Sequence, residues 1–395
     1  MRRHAWVTRP LVGAVLVAAG CGDGGTGPNT AQTEGSSLAS LQTLSGSIVW
    51  DAKSLMKQVA STKGCDSWTP TWAPDGNLYS GYGDCQMPAV PVKLGMGFAR
   101  ISGSAAYAVS VTPVPTGDPS NWSDAAATGI DATGNGTASK KPAGMLQIGS
   151  RLWVSIRNIN SGGTGVRLKY SDNYSTASPD FTWLSWTFTE LGYTSFVQYG
   201  KGYANGPTSY VYAVVPMKSS TIGSVSNSAY NAVPAFGLLR GSRTDLTIRG
   251  NWRYFCGTST TPAWCSASSS AKNIFIKSGT QFRPRAAMSW NPGLGKFMLV
   301  LIYDPTPATT GDDTRFYGAL MVLTAPSPWG PWQTVFSSGS STWPGGTSTT
   351  GCGSTGWGAG DRAEIPTKYM STDGKTFYLF SSGGDCLSIA RGVLP

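Results

Sequence analysis

Histidine is almost missing from this chain: the single one, His4, stands among the first few residues. Without imidazole beyond residue 4 there is no histidine general base, no serine-histidine-aspartate triad and no histidine metal site. Glutamate is nearly as scarce, with only Glu34, Glu190 and Glu364. Charged residues of all kinds make up 13% of the sequence, and no cluster of lysine and arginine offers a track for nucleic acid. The Cys-x-x-Cys spacing typical of zinc is absent, so neither a metal nor a cofactor is expected. After the first twenty residues nothing approaches the ~18 uninterrupted apolar residues of a membrane span, and hardly any stretch repeats with helical period.

The first residues carry an export pattern. Met1-Arg2-Arg3 with Arg9 forms a basic leader, Leu11 to Ala19 is an apolar run too short to span a bilayer, and Leu16-Val17-Ala18-Ala19-Gly20 precedes Cys21. Residues 1–20 therefore read as a signal peptide whose end resembles a bacterial lipoprotein cleavage box. Cys21 becomes the lipidated N-terminus, and the expected location is the bacterial envelope, at the outer membrane or cell surface, held by lipid alone; an ordinary signal peptide with an incidental Cys21 is the alternative. Residues 21–45, rich in Gly, Ser, Thr and Asn, read as a flexible tether, and 46–395 as the folded part. Three arginines and no acid leave with the leader, so the formal charge falls from +10 to +7. That moderate balance suits anionic glycans or envelope polymers.

Seven cysteines less Cys21 leave six, an even number that in an exported chain predicts disulfides. Of the fifteen connectivities open to six cysteines, the reading favours Cys65–Cys85 as register-matched, Cys256–Cys265 as local, and Cys352–Cys386 as the remainder.

The stretch 64–86 organises the rest. Pro74-Asp75-Gly76-Asn77 is turn chemistry between Trp68 to Ala73 and Leu78 to Tyr82, which predicts a β-hairpin. With residue 75 at the centre, Cys65 falls opposite Cys85 and Asp66 opposite Asp84. Two carboxylates side by side are costly unless a proton is shared or one pKa rises, the condition that acid/base chemistry on sugars uses. The bland alternative is a structural hairpin with two loop-capping aspartates.

A phrase of strand, Gly-containing turn and aromatic strand recurs, reaching Tyr79, Trp153, Tyr212, Phe297 and Tyr378 at steps of 74, 59, 85 and 81 residues. Five such copies predict an all-β, five-bladed β-propeller, with a β-sandwich or two-domain β protein as the alternative. In a propeller the residues entering each innermost strand converge on one funnel. Those residues read as Asp66, Lys141, Gln198 with Lys201, Arg285, and Lys368 with Glu364. Three arginines at equivalent entries are not evident.

Cys65-Asp66-Ser67-Trp68-Thr69-Pro70-Thr71-Trp72-Ala73-Pro74-Asp75-Gly76-Asn77-Leu78-Tyr79 with Gly83-Asp84, then Lys141-Pro142-Ala143-Gly144-Met145, Tyr199-Gly200-Lys201 and Tyr210-Val211-Tyr212 resemble the bacterial domain of unknown function 4185 family. Pro326-Ser327-Pro328-Trp329-Gly330-Pro331-Trp332 and Ile365-Pro366-Thr367-Lys368-Tyr369-Met370-Ser371-Thr372-Asp373-Gly374 continue the likeness in order over nearly all of 46–395. The resemblance implies a five-bladed propeller related to arabinanase and sialidase-type glycosidases, some members being endo-D-arabinanases, with first-blade aspartates that map onto Asp66 and Asp84. Cysteines beside both aspartates and an abbreviated blade three depart from the family.

Glycoside cleavage needs two carboxyl groups, one to protonate the leaving oxygen and one to act as base or nucleophile. Asp66 and Asp84 are the expected pair, with Glu364 third and Asp361 behind it. Lys141, Lys201, Arg285 and Lys368 are the expected substrate-binding cations, and Trp68, Tyr82, Trp72 and Trp357 could stack on sugar faces. The expected partner is a polysaccharide of arabinan type. A glycan-binding propeller without chemistry and a polysaccharide lyase on an acidic glycan are the competing readings.

Overall fold

The computed structural model describes residues 47–118, 129–134, 139–160, 163–218, 232–303, 319–338, 352–353 and 358–395. Cys21, the leader, the tether and Trp357 lie outside these residues. The described chain is all-β apart from short 3-10 turns, and its five sheets form a five-bladed β-propeller.

Blade one comprises Thr71–Trp72, Leu78–Cys85, Leu94–Ser102 and Ser110–Pro113, and blade two Lys141–Ile148, Arg151–Asn160, Thr164–Ser171 and Thr182–Trp183. Blade four comprises Ala287–Asn291, Lys296–Tyr303, Ala319–Ala325 and Gln333–Ser337. Blade three is the largest sheet, with six strands from Ser195–Phe196 to Phe275–Ile276. The expectation of an abbreviated third blade is corrected: the sheet has six strands, and its two-residue innermost strand is the part the repeat displays.

Blade five joins the two ends of the described chain. Ala363–Glu364, Thr376–Ser381 and Ser388–Val393 are completed by Val49–Trp50 and Lys57–Gln58, both pairing with Ser388–Val393. The ring is therefore closed by main-chain hydrogen bonds.

The second strands explain the sequence pattern. A sheet stacked between two others is buried on both faces, so its strands read as continuous apolar runs. Along Lys296–Tyr303, Phe297, Leu299 and Leu301 pack into the core shared with blade three, while Met298, Val300 and Ile302 pack into the core shared with blade five. The five recurring aromatics occupy the second or third position of the five second strands. Gly76, Gly149, Gly295 and Gly374 turn four of the inner hairpins with positive φ, where a Cβ is disfavoured.

All three expected disulfides are present, with Cα separations of 4.7 Å for Cys65–Cys85, 6.0 Å for Cys256–Cys265 and 5.3 Å for Cys352–Cys386. The first hairpin departs from its expected register at one point. Thr71 pairs with Tyr79 and Trp72 with Leu78 as the turn requires, but Asp66 lies opposite Gly83 rather than Asp84. Ser67 and Asp84 both take left-handed backbone, with φ of 57° and 55°. Each absorbs one residue on its own limb, so the offset opens at Ser67 and closes again at the disulfide.

Candidate functional site

The innermost strands begin at one face of the ring, and there several buried charged residues gather. Asp66, on the entry to blade one, is 7% exposed. Its carboxylate lies over Gly83, where a Cβ would stand 2.3 Å from Oδ1. That oxygen has no hydrogen-bond partner among the described residues. Asp84, one residue further along the neighbouring strand, places Oδ1 2.5 Å from Lys141 Nζ at the start of blade two. Lys141 also reaches the Gly95 carbonyl at 3.4 Å.

Arg285, entering blade four, places Nη1 2.5 Å from Asp361 Oδ2. Burial pulls its pKa down, but Asp361 and then Asp66 outweigh that pull and hold it above the ordinary arginine range. Arg362, entering blade five, donates from Nη1 to the Ala143 carbonyl at 2.8 Å and to the Tyr193 hydroxyl. From Nη2 it donates to Ser195 Oγ at 2.9 Å and Glu364 Oε2 at 2.7 Å. Burial raises the Glu364 pKa, against the opposing pull of Arg362. Tyr193 lies between two guanidiniums, its ring centre 5.8 Å from that of Arg157 and 5.7 Å from that of Arg362.

The structure thus brings together Asp66, Asp84, Lys141, Arg285, Asp361 and Glu364 at one mouth, with Glu364 sealed beneath it. It does not bring Lys201 or Lys368 there. Both follow their innermost strands instead of preceding them, and each residue of a strand advances the chain ~3.3 Å toward the other face. Lys201 is exposed beside the Pro74 and Gly149 turns. Lys368 Nζ donates to the Gly103 carbonyl at 2.7 Å, and Asp75 and Lys201 are the charges that act on it.

Trp68 and Tyr82 are 2% and 1% exposed, with ring centroids 5.6 Å apart in the core between blades five and one. A sugar cannot stack on rings already covered by protein. Trp72 packs at the edge of the same core.

Sequence reading missed Arg157, Tyr193 and Arg362. Arg362 stands one residue before the innermost strand of blade five and Tyr193 two before that of blade three, so reading one or two positions upstream of each strand would have found them. Arg157 pairs across the ladder with Lys141, a neighbour visible only once the register is known. With Arg285 the mouth therefore holds three buried arginines, which the repeat pattern did not disclose.

Below the mouth the axis is crossed by hydrogen bonds. Thr71 Oγ1 donates to Gln198 Oε1 at 2.9 Å, and Gln198 Nε2 donates to the Met145 carbonyl at 2.8 Å. Gln198 pairs with Ser289, whose Oγ donates to the Ile365 carbonyl at 2.7 Å. All five blades are tied by these contacts. Among the described residues, no three of His, Cys, Asp and Glu are grouped to hold a metal ion.

No protein-family model matches the chain and no curated protein matches it, so the resemblance to the domain of unknown function 4185 family is carried by the quoted motifs alone. Among solved structures, the chain is similar to a putative hydrolase from Bacteroides ovatus, with 11% identity, coverage of 89% of this chain and 93% of that one, and a TM-score of 0.46. It is also similar to a GH43_1 enzyme from Xanthomonas citri, with 13% identity, coverage of 90% and 93%, and a TM-score of 0.45. A third is the α-L-arabinofuranosidase of Podospora anserina in complex with cellotriose, with 9% identity, coverage of 85% and 92%, and a TM-score of 0.42.

Proposed function

We propose that this protein is a glycoside hydrolase acting on a polysaccharide, of arabinan type in the first instance, at the axial mouth, with Asp66 and Asp84 as the working carboxyl pair. The observation that carries the reading is Asp66. Its buried Oδ1 lacks a hydrogen-bond partner among the described residues while Asp84 lies beside it on the next strand. A buried acceptor left without a donor costs ~1–3 kcal/mol, and a sugar hydroxyl or the glycosidic oxygen can supply that donor or receive its proton. Asp84, with its charge compensated by Lys141, suits the base or nucleophile. Asp66 suits the acid that protonates the leaving oxygen.

The assignment is tested by Asp66→Asn and Asp84→Asn. Each is expected to lower release of reducing ends from arabinan by about 10²–10⁴-fold, with circular dichroism unchanged. Asp66→Asn should recover on an aryl glycoside whose leaving group needs no proton, and Asp84→Asn should not. Unchanged turnover in both variants removes the pair from the mechanism.

One observation favours a second reading, glycan binding without turnover. Asp84, Asp361 and Glu364 are each engaged by a cation, Lys141, Arg285 and Arg362 respectively. Polysaccharide retention with no change in chain length after long incubation would select it.

The leader and Cys21 support attachment to the envelope by lipid. Cys21→Ser is expected to move the protein from the membrane fraction to the soluble one, and a membrane fraction unaffected by the change overturns the anchor.

A further inference from the structure

We propose that the rim of blade one carries an accessory saccharide subsite, a groove beside the mouth that holds the outlying sugars of a polymer whose scissile bond lies at Asp66 and Asp84. The inference rests on the proposed glycosidase reading and adds to it a preference for chains over short glycosides.

A groove of about 450 Å³ lies between two stretches of chain, with Ala60, Ser61 and Lys63 on one wall and Gln86 to Val90 on the other. That volume falls within the ~300–1,000 Å³ of small-ligand sites. Its walls run directly into the two carboxylate-bearing segments. Lys63 precedes Asp66 by three residues and Gln86 follows Asp84 by two, so the groove begins within ~11 Å of the carboxylate-bearing backbone, the full reach of three residues.

The same disulfide that ties Asp66 to Asp84 also ties the walls, because Cys65 and Cys85 stand between wall and carboxylate on each limb. The outer wall is a turn closed on itself by a hydrogen bond from Gln86 Nε2 to the Val90 carbonyl at 3.0 Å. The inner wall is fixed to blade five by Gly64 N donating to the Asp385 carbonyl at 2.7 Å. A groove braced from both sides is present before any ligand arrives, which spares a bound chain the entropy of ordering it.

The lining matches a sugar ring more than a lipid or peptide. Lys63, Ser61 and Gln86 are exposed and offer an ammonium, a hydroxyl and an amide toward hydroxyl groups, and Pro88, Ala89 and Val90 offer apolar surface to the C–H face. Among the described residues no aromatic ring lines it, so each sugar is held weakly and the subsite counts only for a chain also engaged at the mouth.

The test fills the groove without touching the mouth. Ala60→Trp places an indole in the groove from an exposed position, and Lys63→Ala removes the ammonium without adding bulk. With arabinan and an aryl arabinofuranoside as substrates, Ala60→Trp is expected to raise KM for the polymer about tenfold and leave kcat/KM for the aryl glycoside unchanged, with Lys63→Ala shifting KM in the same direction by less. Equal kinetics of Ala60→Trp and parent on the polymer overturn the subsite. If the parent cuts neither substrate, the hydrolase reading fails by itself, and the subsite is judged by retention in gels containing arabinan, xylan or carboxymethylcellulose. Retention of the parent that Ala60→Trp abolishes upholds it, and retention that is absent or equal in both overturns it.

Discussion

At Gly83 the missing side chain decides where a carboxylate can sit. The 2.3 Å approach of Asp66 Oδ1 to the place a Cβ would occupy leaves glycine as the residue that fits. Counting outward from Asp75 finds both aspartates and the disulfide but sets Asp66 against Asp84, because it assumes one uniform register. The left-handed backbone of Ser67 and Asp84 breaks that assumption, and serine announces no such conformation as glycine would. A third aspartate escaped notice entirely. Asp131 is 6% exposed, accepts from Thr116 N at 2.9 Å, and has its pKa pushed up to about 6 by burial, against hydrogen bonds that lower it. The unfolded chain releases that proton near 3.8, so between roughly pH 4 and 6 the folded state binds more protons and stability falls as pH rises. Above that window the full cost, on the order of 3 kcal/mol, is in place. Asp131→Asn is expected to raise the urea midpoint at pH 8 and leave it unchanged at pH 3.5; an equal effect at both pH values would sink the assignment.

Within single elements, turn chemistry was legible and direction was not. Pro74-Asp75-Gly76-Asn77 and the flanking cysteines identified the first hairpin because a tight turn and a pair of opposed half-cystines both constrain the residues next to them. Lys201 and Lys368 were placed wrongly relative to the mouth because a motif shows that a strand is near, not whether a residue lies before or after it. The stapled hairpin makes its own prediction. Cys65 and Cys85 are buried and close a loop of 20 residues, for which the chain-entropy estimate is about 3 kcal/mol. Cys65→Ala with Cys85→Ala should lower the guanidinium midpoint accordingly. A midpoint within error of the parent would show that hairpin pairing alone holds the two limbs.

For the molecule as a whole, the five-fold repeat was the most legible feature, since each of the five second strands, packed between sheets, carries an aromatic at its second or third position after a turn. Of the three arginines only Arg285 was legible at this scale: Arg157 comes from a second strand and Arg362 from an entry one residue upstream of the repeat, and only closure of the ring gathers them with Arg285. Closure itself depends on few residues. Val49–Trp50 and Lys57–Gln58 complete blade five, and Trp50 packs edge-on against Phe336 at 5.4 Å and Phe377 at 5.8 Å. Deleting residues 47–58 exposes the edge of Ser388–Val393 and empties the Trp50 site, a loss worth ~3–5 kcal/mol for the tryptophan alone. Calorimetry should show the transition about 10 °C lower, and an unmoved transition would mean the ring does not rely on its clasp.

The hydrogen bonds from Thr71 through Gln198 and Ser289 to Ile365 lie, among the described residues, across the floor of the mouth. Under the proposed activity, whatever is cut would back out through the doorway by which the next chain arrives. Accumulating fragments would then compete with fresh polymer for that opening, and turnover would slow as short sugars build up outside.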